Sequence, residues 1–324
     1  MKLTKSILLT SAMLLALPGA ALAEYPERPI TMLVSWAAGG GTDAVARSLA
    51  ARIEAELGTP VNVVNRTGGA GVIGHTEMVN AKPDGYTIGL ASAELSTYYW
   101  SGTAQFTAKD VTPIALVNLD ASSFNVAANG EWNDLRTALD AISSAPAGTY
   151  KLSGMGAGAA YHLAFAGLLN SQGIDPNKVT VVPSQGAAPG FQELAAGGVE
   201  IVPSSLPEAK AMIDAGQVKS LAVLADERLG AFPDVPTVKE AIGTEWAGGT
   251  WRGIVAPVGI PDEAKEKLIK AVDAAWHSDE FQNFMKDRGF GVIYLSDAEF
   301  GEYLATQHER NGEIMGLLGL RKRD

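Results

Sequence analysis

Short apolar runs alternate with amphipathic stretches along most of the chain. Ile30–Val34 is a short apolar run, the mark of a buried strand. After it, Val45, Leu49, Ile53 and Leu57 recur at every fourth position, the stripe of an amphipathic helix, and Gly58 ends it. The alternation continues. Val61–Val64 reads as a strand, Asn65–Gly71 as a loop, Val72–Asn80 as a helix, Pro83-Asp84-Gly85 as a turn and Tyr86–Ala91 as a strand. Ser92–Tyr98 opens another loop and helix, and Ile114–Val117 and Phe124–Ala127 read as two further strands.

A second series begins near residue 125. Its expected strands are Tyr150–Ser153, Val179–Val182, Val199–Val202 and Lys219–Leu224, with helices over Tyr161–Leu169, Ala187–Ala196 and Leu206–Ala215 between them. After Phe232–Pro236, the run Thr250–Ala256 reads as a strand returning to the first series. The tail from Pro261 to about Leu318 is mostly helical, with Phe281, Phe284, Met285 and Phe300 as core candidates. Strands alternating with helices imply an α/β fold whose sheets are mainly parallel. The expected organisation is one lobe from residues 24–124 and 248–324 and a second from 125–247.

The first residues change the picture. Lys2 and Lys5 precede an apolar run from Ile7 to Leu17, and small residues follow at Ala21 and Ala23. That is the pattern of a signal peptide cut after Ala23. The run is too short to span a bilayer, which takes roughly 20 residues. The mature chain is therefore expected outside the cytosol. Removal of residues 1–23 takes two lysines and leaves 23 basic against 36 acidic groups, a net charge of −13. Such a chain is a poor match for nucleic acid or an anionic membrane. It has no cysteine, hence neither disulfides nor a thiol nucleophile.

The chain holds 36 glycines, and they cluster where strands end and helices begin. In open parallel sheets ligands bind beyond the carboxyl ends of the strands. A helix N-terminus there offers unpaired N–H groups and partial positive charge, an anion site that needs no basic side chain. Four loops qualify: Ala37–Asp43, Thr67–Gly74, Ser153–Gly158 and Gln185–Ala188. Tight turns alone would explain any one of them; four on one edge point to an anion. Thr42 and Ser153 add hydroxyl donors.

Several other features are compatible with chemistry. Gly69, Gly71 and Gly74 match a dinucleotide fingerprint, with Glu94 beyond it, but the unit is the second in its lobe and an exported chain meets little NAD. His75 and His162 follow glycine loops, where lining a pocket and packing or capping are both open; His277 and His308 read as surface helix residues. No metal-ligand spacing and no G-x-S-x-G elbow occur. Asp43 suits a capping carboxylate at a helix start. Trp36, Tyr98, Tyr99, Trp100, Tyr161 and Trp251 are candidate pocket walls, Trp36 foremost because it lies inside a loop. Arg252 is open to a pairing with Asp43 or with a ligand carboxylate, a surface salt bridge being the plainer reading.

Taken together, these residues resemble the Bug-type periplasmic receptors of the tripartite tricarboxylate transporter system. The resemblance runs through Tyr25-Pro26, Arg28-Pro29-Ile30, Ala37–Asp43, Asn65-Arg66, Gly68–Gly74, Lys82–Thr87, Gly186–Pro189, Gly216–Val223 and Phe232–Thr237. It implies a type II periplasmic binding protein, a monomer with a cleft between two lobes, which binds a small carboxylate and hands it to a membrane permease. It implies neither catalytic residues nor a cofactor. The ligand loops correspond to Ala37, Ala38, Gly39, Gly40 and Thr42, to Gly69, Ala70, Gly71 and Gly74, and to Ser153, Gly154, Gly156, Ala157 and Gly158. Trp36, Ser92, His162, Gln185 and Ser204 join them as candidates. Two departures bear on the ligand. Where many members carry Tyr-Lys and an aspartate, this chain has Ser184-Gln185 and Ser204-Ser205. Both remove charge from the expected cleft. An amino acid needs an acidic partner for its ammonium group, so a di- or tricarboxylate is favoured. The competing readings are an exported hydrolase of small esters and a sensor that presents ligand to a signalling receptor.

Overall fold

The computed structural model describes residues 24–323; the expected signal peptide lies outside the described residues. The first lobe starts with β1 (Ile30–Val34), α1 (Gly41–Leu57), β2 (Val61–Asn65), α2 (Val72–Val79) and β3 (Thr87–Ser92). β1 lies between β2 and β3 and pairs with both in parallel. Val45, Leu49 and Ile53 of α1 are fully buried on this sheet, and Leu57 packs at its edge. Gly58 closes the helix at a φ of 63°, its N–H bonded to the Glu54 carbonyl, a left-handed cap that side chains with a Cβ resist.

A short helix, α3 (Tyr98–Ser101), leads to β4 (Val111–Ala127). β4 is one strand of 17 residues where the pattern suggests two. The apparent break is polar, Asn118 to Ser123, yet Asn118, Asp120, Ser122 and Ser123 are all buried. The strand passes from one lobe to the other beneath the cleft, where Asn118, Asp120 and Ser123 make buried side-chain hydrogen bonds.

The second lobe follows as α4 (Leu135–Ser144), β5 (Tyr150–Leu152), α5 (Ala160–Ser171), β6 (Val179–Val181), α6 (Ala187–Ala195), β7 (Val202–Ser205), α7 (Leu206–Asp214), β8 (Val218–Val223) and α8 (Val238–Ile242). The chain then returns through β9 (Gly249–Pro257) to α9 (Asp262–His277), α10 (Asp279–Arg288), β10 (Val292–Leu295) and α11 (Asp297–Leu317). β4 runs antiparallel to β9 as far as Ala121 and Gly249, then from Ser122 onward pairs with β7 and β8. Two strands thus tie the lobes together.

The expectation of mainly parallel sheets holds for the β1–β2–β3 group and for β5–β6. The pairings made by β4 with β7, β8, β9 and β10, and by β3 with β9, are antiparallel. The strand expected over Val199–Val202 instead starts at Val202 and runs into Ser204 and Ser205, with Ile201 making only an isolated bridge to Leu152. β10 interrupts the helical tail. Phe281, Met285 and Phe300 are fully buried, and Phe284 packs at the core's margin. The second lobe has its own core of Phe124, Leu139, Ile142, Phe165, Leu168 and Leu221. Among the described residues no helix is long and apolar enough to cross a membrane.

Candidate functional site

The loops at the carboxyl ends of the strands meet between the lobes. Trp36–Thr42 after β1 and Ser92–Glu94 after β3 face Gly154–Met155 after β5 and Gly186–Ala188 at the start of α6. Tyr161, Glu208, Thr250 and Arg252 complete the wall of a narrow cavity between the lobes. The lobes touch across it: the Ala37 N–H donates to the Gln185 carbonyl at 2.9 Å, and the Thr67 hydroxyl donates to the Gln185 side chain at 3.0 Å.

Of the expected residues, Trp36, Ala37, Gly40, Thr42, Ser92 and Gly154 line this cavity. Ala38 and Gln185 line a neighbouring surface groove. Gly39 donates its N–H to Asp43 at 2.9 Å. The second glycine loop stands behind the wall. Ala70 accepts from the Tyr98 hydroxyl at 2.9 Å. Gly71, at a φ of 87°, leaves no room for a Cβ, which would lie 2.6 Å from the Tyr98 oxygen. Gly74 packs directly on the backbone of Ser35 and Arg66. In the second lobe Gly156 abuts Ala70 across the cleft, Ala157 is exposed, and Gly158 donates to the His162 Nδ1 at 2.9 Å. Ser153 is buried, bonded to the Val182 carbonyl and to Glu193. Ser204 is buried within β7, its carbonyl accepting from Ser123 and its hydroxyl from Asn125.

The histidines have positioning roles. His75 is fully buried; its Nδ1 meets the Gly71 carbonyl at 2.9 Å and its Nε2 accepts from the Ser92 N–H at 3.2 Å. One ring thereby fastens the second glycine loop to the end of β3. Burial pushes the His75 pKa down and takes that of His162 to about 4, so both rings are neutral at pH 7. His308 is not a plain surface residue: its ring stacks on Trp100 at 4.8 Å. Of the candidate aromatic walls, Trp36 and Tyr161 reach the cavity. Trp251 packs on Phe300 and Tyr303, and Trp100 on Met315.

Asp43 faces away from the cavity. Burial raises its carboxyl, but Arg47, the Gly39 N–H and Asn65 outweigh that and hold it below the usual carboxylate value. Arg252 makes neither the Asp43 pair nor a surface salt bridge. It is 1% exposed. Its Nε donates to the Thr42 hydroxyl at 2.9 Å, Nη1 to Asn118 and Asp120, and Nη2 to Glu208 at 3.3 Å. It joins the first turn of α1, the crossing strands and α7 in one buried network. Burial pulls the guanidinium pKa down, but the carboxylates of Asp120 and Glu208 outweigh it and keep the group protonated.

Glu94 and Glu208 line the cavity without a sequence signal for that role, Glu94 standing out only beside the dinucleotide fingerprint. The Ser205-x-x-Glu208 capping box announces the start of α7, but gives no sign that the carboxylate reaches into a cleft. These two side chains also correct the premise that the cleft lacks acidic groups.

Two lobes joined by crossing strands, with helix N-termini turned on a shared cavity, define a periplasmic binding protein. The match to known proteins is specific. The model of the tripartite tricarboxylate transporter receptor family, TctC, matches residues 45–320, and the chain belongs to that family. It is similar to the periplasmic binding protein BugD, at 31% identity and a TM-score of 0.83 over 92% of this chain and 100% of the other. MatC from Rhodopseudomonas palustris with bound malate is 26% identical, with a TM-score of 0.79 over 90% and 99%. A second R. palustris protein, with adipate, is 25% identical, with a TM-score of 0.82 over 91% and 99%.

Proposed function

We propose that this protein is a periplasmic receptor that captures a small di- or tricarboxylate, dicarboxylates foremost, and delivers it to the membrane permease of a tripartite transporter. It acts as a monomer, and its lobes divide at residues 124/125 and 247/248. The observation that carries the reading is the convergence of α1 and α6, from opposite lobes, on one cavity. Each presents first-turn N–H groups and about half a positive charge. That arrangement lets a chain of net charge −13 hold an anion. Malate and adipate in two structural relatives support the dicarboxylate class.

Thermal-shift screening of the mature chain tests it. Dicarboxylates of four to six carbons at a hundredfold excess over Kd should stabilise the protein by about 2.7 kcal/mol. Stabilisation by sugars or cations, with none by any acid, sinks the proposal. Gly40→Leu is the clean binding-defective variant. A Cβ there meets only the Ala37 carbonyl, at an ordinary 3.4 Å, so the side chain fills the cavity without breaking the fold. Gly71 is a poor choice, since its φ of 87° and its contact with Tyr98 make any side chain there a folding defect.

A further inference from the structure

Two carboxylates cross the cleft in opposite directions. Glu94 follows β3 in the first lobe, and its Oε1 accepts from the N–H of Ala160, the first residue of α5 in the second lobe, at 3.0 Å. Glu208 lies on α7 in the second lobe, and its Oε1 accepts from the N–H of Gly41, the first residue of α1 in the first lobe, at 3.0 Å. Glu94 is 4% exposed and the Glu208 side chain 6%. Both line the cavity. Each is also fixed from its own side. The Ser92 hydroxyl donates to Glu94 at 2.5 Å. The Tyr161 hydroxyl at 2.7 Å, together with Ser205 and Arg252, does the same for Glu208.

We propose that Glu94 and Glu208 are positioning residues that form a reciprocal clasp, each carboxylate capping a helix of the opposite lobe and so holding the lobes together. A carboxylate at a helix N-terminus is favourable, and more so out of water. The contacts form only when the lobes are together, because donor and acceptor belong to different lobes. The clasp also limits ligand charge, a consequence that rests on the carboxylate-receptor reading. Asp120 and Glu208 already answer Arg252. Glu94 answers the N-terminus of α5 and Glu208 the first N–H of α1, while α6 keeps its own half-charge. What remains for a ligand is the Ala187 and Ala188 N–H groups of α6 and the later first-turn N–H groups of α1, one place in each lobe. A dicarboxylate fills both. A third carboxylate meets Glu94 or Glu208 with no cation to spare.

The test uses the mature chain as wild type, Glu94→Gln, Glu208→Gln and the double variant, with circular dichroism to confirm folding. Small-angle scattering without added ligand should show a larger radius of gyration in the double variant than in wild type. Calorimetry with succinate and tricarballylate should show the tricarballylate-to-succinate affinity ratio rising at least about tenfold in each single variant. Glu94→Gln leaves the Arg252 network intact and keeps the test decisive if Glu208→Gln unfolds. An unchanged radius of gyration together with an unchanged affinity ratio overturns the proposal. If wild type binds neither acid, the carboxylate reading falls, and the scattering comparison alone then decides the clasp.

Discussion

Arg252 shows how much one side chain can organise. Its guanidinium satisfies acceptors from the first turn of α1, from β4 and from α7, and lies 5.8 Å from the Phe290 ring centre. Removing one partner of a buried ion pair strands the other, which costs roughly 3–5 kcal/mol. Arg252→Gln should therefore lower the urea-unfolding free energy by about that amount, with Asp120 and Glu208 left unpaired. Arg252→Lys should recover only part of it, because an ammonium lacks the planar fork that serves several acceptors at once. A loss below about 1 kcal/mol for Arg252→Gln would show that the network adds little to stability.

At the scale of elements, α5 carries a proton-linked contact. The Gly158 N–H donates to the His162 Nδ1, which requires the neutral ring, and burial takes the pKa of that ring to about 4 against an ordinary 6.5. In the unfolded chain the ring takes up its proton near pH 6.5, while in the folded protein it does so only near pH 4. The unfolded state thus binds more protons between those values, and stability rises with pH across that window and levels off above it. Acidifying from pH 7 to pH 4 should cost about 3 kcal/mol through His162. The buried His75 adds a loss of the same sign. His162→Asn should flatten the slope of unfolding free energy against pH between 4 and 6.5. An unchanged slope would rule out His162 as its source.

For the whole molecule the decisive feature is how closely the lobes approach. Gly156 of the second lobe presses on Ala70 of the first so tightly that a Cβ at 156 would overlap the Ala70 side chain. Gly156→Val should prop the lobes apart while each core stays intact. The expected result is at least about a tenfold loss of carboxylate affinity with an unfolding midpoint close to wild type. Equal loss of affinity and of stability would place the damage inside the second lobe instead of between the lobes.

Much of this was legible in the chain itself. The stripe Val45, Leu49, Ile53, Leu57 and the cap at Gly58 fix the body and the end of α1, although the helix starts at Gly41, inside the stretch read as a loop, because helix periodicity and left-handed glycine caps are local properties. The glycine loop after β1 was equally visible, since a strand followed by a loop and a helix N-terminus is written in consecutive residues. What the sequence could not show is anything that depends on the second lobe meeting the first. Asn118–Ser123 reads as a break between strands because polarity signals exposure, yet packing buries its polar residues Asn118, Asp120, Ser122 and Ser123 under the cleft. Glu94 stands out in the sequence only beside the dinucleotide fingerprint, and Glu208 does not stand out at all. Their carboxylates find Ala160 and Gly41 across separations of 66 and 167 residues. Local patterning therefore determined the elements and the loops that can bind an anion. Tertiary structure alone decided which of those N-termini remain for a ligand and which the protein fills with its own charge, because that outcome depends on contacts between residues far apart in the chain.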